Sequence, residues 1–373
     1  MTLDATALPA LIVFCGIAYN TLAIIGAIRF RLTRRRTPPR SFAPPVSILK
    51  PIRGRDARFY EAIRSHATQR YPNFEILFGV ADPDDPALED VTRLQREFPQ
   101  IPVRIVIVPP NDASNAKVGS LEVLARAAAH SILLVNDGDI LVDPDYLTRV
   151  ISLLEDPATG LVTCLYRGHG SSLAARAESL GIATEFAPSV LVARLLSSTG
   201  FALGSTMAFR AADLAAIGGF AAIRDYLADD YQLGARISAL GKRVAMADTV
   251  VETNLGAGTW LDVWKHQVRW SRTIRISRTA GYFGYLVTQA TFWCLLAACF
   301  GHWRIALAGL AVRLAAAAAA MSALGFGSPL QLLAVPLRDL FGLAVWAAGM
   351  IGDTVEWRGI RFRLLKDGRI EPL

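Results

Sequence analysis

From Leu8 to Ile28 the chain runs 21 residues without a charge (LPALIVFCGIAYNTLAIIGAI), and Arg29, Arg31, Arg34, Arg35, Arg36 and Arg40 follow it. A segment this long and this apolar has one stable form across a bilayer. It is a helix that bonds its own backbone groups, because hydrocarbon offers them no partner. Asn20 is its one strongly polar residue. A cleaved leader would carry basic residues ahead of the apolar core. Here only Asp4 is charged before it, so the segment is expected to remain as an anchor. The arginines behind it predict that the chain continues on the cytoplasmic side.

The hydrophobic fraction is 53% over 373 residues, high for a soluble protein, and the excess sits at the two ends. The length allows about two domains of ordinary size. Near the C-terminus, Tyr282–Phe300 is expected to span. Ile305–Phe326 is long enough but carries Arg313. Leu330–Ile351 is interrupted by Pro336, Arg338 and Asp339, and is expected to be re-entrant or interfacial. That arrangement keeps the basic tail, with Arg358, Arg361, Arg363, Lys366 and Arg369, in the cytoplasm. The net charge of +7 does not call for nucleic acid, since arginines beside a membrane already meet anionic lipid. Cys15, Cys164, Cys294 and Cys299 form no disulfide framework.

Between these ends, short apolar runs alternate with helical stretches. Strands are expected at Val46–Pro51, Phe74–Val80, Val103–Val108 and Ile132–Val135, with helices between them and a further strand at Leu161–Arg167. Strands separated by helices of 10–15 residues imply βαβ units and an α/β fold with a mainly parallel, doubly wound sheet. No G-x-G-x-x-G follows the first strand and there is no G-K-[ST], which argues against NAD and P-loop chemistry.

The loops offer carboxylates instead. Ile132–Val135 delivers Asp137 and Asp139, i and i+2 around a glycine, to the carboxyl end of the sheet, where open α/β folds bind ligands. Two hard oxygen ligands there suit a divalent cation, although an Asp-Gly turn alone would also close a strand. The acidic loop with Asp82, Asp84 and Asp85 follows the second strand. A carboxylate there is placed for a nucleoside base or ribose, or for capping the next helix. Asp229 and Asp230 open a helix expected over Tyr226–Leu240. They either complement its dipole or supply a general base whose pKa is raised by like-charge crowding. Trp260–Arg278 interleaves Trp260, Trp264 and Trp270 with basic residues including His266, the pattern of an interfacial helix ahead of a membrane span. Within it, Arg269 is a candidate for neutralising a leaving diphosphate.

In order, KPIRGRD (50–56), FGVADPDDPALE (78–89), NDGDI (136–140), LADDYQLG (227–234) and HQVRW (266–270) resemble GT-A-fold glycosyltransferases. More narrowly they resemble the ceramide glucosyltransferase family, family 21, and its bacterial hopanoid-biosynthesis branch, toward which LVTCLYRG (161–168) and FAPSVLVA (186–193) lean. The resemblance implies a cytoplasmic GT-A domain held by transmembrane helices in a bacterial inner membrane. It implies inverting, metal-dependent transfer from a UDP-sugar to a membrane lipid hydroxyl. The expected reaction is transfer of N-acetylglucosamine from UDP-GlcNAc to bacteriohopanetetrol, and the alternative is glucosyl transfer from UDP-glucose to ceramide. By the same resemblance Asp82 and Asp85 fall on the donor side with Lys117. Asp137 and Asp139 fall on the Mg²⁺ or Mn²⁺ site, Asp230 on the base, and Arg269 and Trp270 on the family's Arg-Trp pair. His266 stands where that family motif begins with Gln or Arg, Val-Gly-Ser follows Lys117 in place of an asparagine-bearing loop, and Glu185 stands near the ceramide enzymes' histidine.

The resulting organisation is an anchor and basic segment (1–40), a catalytic domain (41–258), an interfacial helix (259–281), transmembrane or re-entrant segments (282–355) and a basic tail (356–373). Two other classes remain to be distinguished from it. One is a phosphotransferase with Asp137 as nucleophile, which normally carries its aspartates after the first strand. The other is a non-catalytic membrane scaffold.

Overall fold

A computed structural model describes residues 7–34, 42–198 and 200–373. Asp4, Arg35, Arg36 and Arg40 lie outside the described residues. The chain forms two compact units, one from Met1–Arg35, Arg167–Ser198 and Ala257–Phe362, the other from Arg36–Tyr166, Thr199–Gly256 and Arg363–Leu373.

The second unit is built on an eight-stranded sheet. Its strands are β1 (Val46–Pro51), β2 (Phe74–Val80), β3 (Val103–Ile107), β4 (Ile132–Val135), β5 (Ile140–Leu141), β6 (Thr159–Gly170), β7 (Met207–Arg210) and β8 (Arg243–Gly256). They lie in the order β3-β2-β1-β4-β7-β6-β8-β5. β1 pairs parallel with both β2 and β4, and β2 pairs parallel with β3. The crossovers contain the helices Phe59–Ala67, Ala87–Glu97 and Ala116–Ala127. All seven residues of β2 are buried, as expected of a strand covered on both faces, which is why the sequence there is apolar apart from Glu75, whose carboxylate accepts from Ser47 Oγ and Ala129 N. Beyond β4 the sheet turns antiparallel, through β4 with β7, β7 with β6, and β5 with β8.

This topology decides where a ligand can go. The chain steps outward from β1 to β2 and β3, then returns to the other side of β1 as β4. The winding reverses between β1 and β4, where Leu49 is in register with Val135. A crevice opens outside the carboxyl ends of strands at such a reversal. Here those ends lead into Ile52–Arg58 on one side and Asp137–Asp139 on the other.

The other unit is helical. Three helices among the described residues are long and apolar enough to cross a membrane: Leu8–Arg34, Trp303–Leu324 and Pro329–Gly349. Close approach rests on small residues, as in membrane packing generally. A Cβ at Gly26 would meet Leu191 Cβ at 3.1 Å, and one at Gly309 would meet Val13 Cγ1 at 2.6 Å. At the end of Trp303–Leu324, Gly325 takes φ 63°. Its carbonyl accepts from Arg167 Nη1 at 3.0 Å, and Arg34 Nη1 donates to Ala323 O at 3.3 Å. Two guanidiniums thus cap the negative end of the helix dipole.

The structure adds detail to two expectations from the sequence. Tyr282–Phe300 is not one helix: Thr279–Thr288 and Ala290–Cys299 meet at a 47° bend. Gln289, with φ −71° and ψ 66°, breaks the ladder. The Leu286 carbonyl at the bend accepts from Gln289 N at 3.2 Å and Trp293 Nε1 at 2.8 Å. Nor does Pro336 interrupt its segment. It falls in the first turn of Val335–Gly349, where a missing N–H costs no helical bond. The charges nearby are paired. Arg313 grips Asp339 with two bonds, at 3.0 and 2.6 Å, and Thr291 Oγ1 donates to the same carboxylate at 2.5 Å. Arg338 reaches Gln267 Oε1 at 2.8 Å and Glu185 Oε1 at 3.1 Å. Paired in this way, charged side chains can sit among apolar helices.

Candidate active site

At the β1–β4 reversal, a buried asparagine organises the strand end. Asn136 is fully enclosed. Its amide nitrogen donates to Ser205 O at 2.7 Å and Tyr146 Oη at 3.0 Å, while its carbonyl oxygen lies 3.1 Å from His66 Nε2. It therefore ties the end of β4, and with it Asp137, to the turn Leu203–Thr206.

That turn holds Asp230. The backbone N–H of Gly204 donates to Asp230 Oδ2 at 2.9 Å, and Tyr231 N donates to Oδ1 at 2.7 Å. A Cβ on Gly204 would sit 3.3 Å from Asp230 Oδ2 and 3.8 Å from Asp137 Oδ2, so the two carboxylates flank one glycine. Burial, and then the charge of Asp229, push Asp230 up to about 6, with Lys117 and the two backbone bonds pulling the other way. A carboxylate poised there is ionised at neutral pH yet basic enough to accept a proton in a reaction.

Asp137 and Asp139 point differently. Asp137 is 43% exposed, and its Oδ1 is paired with Lys117 Nζ at 2.9 Å. Asp139 accepts from Thr253 Oγ1 at 2.5 Å and Asn254 N at 3.2 Å. Burial raises its pKa, with Asp137 adding to the effect. Behind them stands Lys50, the end of β1, with no exposed surface. Its ammonium donates to the Asp137 carbonyl at 3.1 Å. Burial pushes Lys50 down to about 7, against the pull of Asp139 and Asp137.

Lys117 also lies 3.1 Å from Asp229 Oδ2. Burial opposes its charge, but Asp137 and Asp229 hold its pKa above the ordinary value. Asn115 sets its position. The side-chain oxygen caps the helix at Val118 N (3.3 Å) and the amide donates to Tyr226 O (2.8 Å), three residues before Asp229.

Four carboxylates against two lysines leave the site short of positive charge. Among the described residues no three His, Cys, Asp or Glu side chains converge as a metal cage. Asp137 and Asp139 nonetheless fit a hard divalent ion that takes one or two carboxylates and completes its shell with phosphate oxygens and water.

The remaining candidates take other positions. Both Asp85 oxygens are engaged by backbone: Oδ2 by Gly54 N at 2.7 Å and Oδ1 by Ala87 N at 2.9 Å. It braces the turn in which Gly54 takes φ 73°. Asp82 is exposed and accepts from Asp84 N at 2.9 Å. Arg269 and Trp270 lie in the helical unit, on the helix Trp260–Ser277. There Trp270 meets His266 edge-on at 4.5 Å, and His266 Nδ1 lies 2.7 Å from the buried Glu178 carboxylate. On the same helix, Trp260 and Trp264 both pack on Phe341. Residues without a predicted role are Lys50, Asn136, Gly204 and Thr253. Only Lys50 left a signal, since a lysine ending a buried apolar strand is out of place unless it is paired.

The sequence profile of glycosyl transferase family 21 matches residues 8–370. Ceramide glucosyltransferase 3 of Caenorhabditis elegans is 26% identical, covering 99% of this chain and 84% of its own. Ceramide glucosyltransferase 1 of the same organism is 27% identical over 69% of this chain, and the match spans 56% of that relative's length. Among solved structures, a mannosyltransferase, PcManGT from Pyrobaculum calidifontis in complex with GDP-Man and Mn²⁺, shares the fold. Its TM-score is 0.54 at 19% identity, over 92% of this chain and 97% of that one. A sheet that reverses at a pair of aspartates, joined to apolar helices and matched along nearly its whole length, makes this chain a glycosyltransferase of family 21, with a GT-A-type α/β fold.

Proposed function

We propose that the enzyme transfers a sugar from a UDP-sugar to a hydroxyl of a membrane lipid, with inversion at the anomeric carbon. The observation that carries this is Asp230, a half-buried carboxylate lifted to about 6 and fixed beside Asp137 around Gly204. In this reading Asp230 takes the proton of the lipid hydroxyl as its oxygen attacks the anomeric carbon opposite the departing diphosphate. Lys117 and Arg269 offset the charge that builds on the leaving group. Asp82 and Asp85 shape the nucleoside side, and Trp270 serves the acceptor. Mg²⁺ or Mn²⁺, held by Asp137 and Asp139, would supply Lewis-acid neutralisation of the diphosphate. The nucleotide-sugar and Mn²⁺ named for the mannosyltransferase support a donor and metal of this kind.

For the acceptor, the reading is bacteriohopanetetrol with UDP-GlcNAc as donor, in the inner membrane of a bacterium with the sheet unit in the cytoplasm. The segments at 161–168 and 186–193 favour it. The names of the relatives favour glucosyl transfer to ceramide instead. Competition between the two lipids, with products identified by mass spectrometry, decides the matter. Glycosylation of ceramide with bacteriohopanetetrol ignored replaces the first reading by the second.

A further inference from the structure

Lys117 places a cation on the aspartates before any metal arrives. Its side chain is only 17% exposed, and its ammonium is shared between Asp137 Oδ1 and Asp229 Oδ2. Asp229 Oδ2 is buried and makes no hydrogen bond of good geometry, so this ion pair is what offsets its burial. The two partners differ. Asp229 is buried, whereas Asp137 is 43% exposed and faces the crevice. Asn115 fixes the helix start, so the flexible stem of Lys117 remains the movable part.

We propose that Lys117 is a positioning residue that occupies Asp137 as an internal counter-ion and yields it when a donor diphosphate arrives, so that metal capture at Asp137 and Asp139 is coupled to nucleotide binding. This rests on the metal-dependent nucleotide-sugar reading above. A divalent ion approaching Asp137 alone meets a fixed positive charge a few ångströms away. At the effective dielectric of a partly buried site, that repulsion costs well over about tenfold in affinity. A diphosphate gives the ammonium, with its three donors, a new anionic partner. Asp137 is then left to the metal. Linkage makes the effect reciprocal, so the metal tightens UDP by the same factor.

The test is Mn²⁺ binding followed by electron paramagnetic resonance on the full chain in lipid nanodiscs, with and without UDP. The wild type should bind Mn²⁺ weakly alone and more tightly with UDP. Lys117→Met should raise affinity without UDP by about tenfold or more and shrink the effect of UDP. Lys117→Arg keeps the charge and should keep the weak state. Asp229→Asn leaves the ammonium wholly to Asp137 and should weaken Mn²⁺ binding further. If Lys117→Met and Lys117→Arg bind Mn²⁺ alike, or Lys117→Met matches the wild type while UDP still tightens binding, the coupling role is wrong and the donor reading stands. Should Lys117→Met fail to fold, unchanged Mn²⁺ affinity in Asp229→Asn overturns the proposal by itself. A wild type that binds no Mn²⁺ even with UDP defeats the donor reading, and the coupling with it.

Discussion

Replacing Asp230 by Asn removes basicity while keeping size, and the site predicts both the loss and its pH signature. The folded environment lifts Asp230 to about 6 through burial and the charge of Asp229. A base works only when deprotonated, so activity should be lost as pH falls through about 6. From pH 7 to pH 5 the ionised fraction, and with it the rate, falls about tenfold, whereas an ordinary aspartate stays ionised throughout that interval. Asp230→Asn should lower kcat by about 10²–10⁴ with little change in UDP affinity. Folding separates this from simple damage. A pKa raised on folding means that ionised Asp230 weakens the native state at neutral pH, by about 3 kcal/mol for two pH units. The amide recovers that but mismatches one of the two N–H donors, at about 1 kcal/mol. Near pH 7 the variant should therefore be about 2 kcal/mol more stable than the wild type, an advantage that fades as pH falls toward the unfolded value near 4. Initial rates of UDP release at saturating donor and acceptor, alongside denaturant melts, measure both. A flat acid limb, one centred near 4, or an inactive Asp229→Asn beside an active Asp230→Asn would refute the assignment.

Asp137→Asn should abolish transfer and remove the Mn²⁺ dependence of UDP binding, measured by calorimetry. Full affinity in that variant excludes the carboxylate from the site. In the helical unit, Asp339→Asn leaves Arg313 buried without its bidentate partner and should cost about 3–5 kcal/mol, whereas replacing both residues by apolar ones of similar volume should be near neutral. Thermal unfolding in detergent compares the two. A reporter fused after Leu373 should be cytoplasmic if the 330–351 segment turns back. A periplasmic signal would make it a full span.

The parallel half of the sheet was legible because its inner strands β1, β2 and β4 are buried on both faces and read as mainly apolar runs bounded by turns, while the edge strand β3 is apolar at four of its five positions. Of the antiparallel half only β6 was, expected at Leu161–Arg167 and found as Thr159–Gly170. β7 has four residues and follows a stretch of small and polar residues, and β8 alternates in burial only partly. Charged residues in the apolar third misled in a different way. Arg338 and Asp339 looked like a break because their partners, Glu185, Gln267 and Arg313, lie far off in sequence. In the site, Asp137, Asp139, Asp229 and Asp230 stood out by type and spacing. What joins them did not, since Asn136 and Gly204 act through hydrogen bonds and an absent Cβ, which no spacing encodes.

The central claim is sugar transfer to a lipid hydroxyl with inversion. Purified full-length protein in nanodiscs, given α-linked UDP-GlcNAc or UDP-glucose with bacteriohopanetetrol or ceramide, tests it in one reaction. Mass spectrometry and proton coupling at the anomeric carbon of the product supply the readout. The account predicts a β-linked glycolipid that disappears in Asp230→Asn. An α-linked product, or no glycolipid from any pair while the wild type binds UDP, would contradict it.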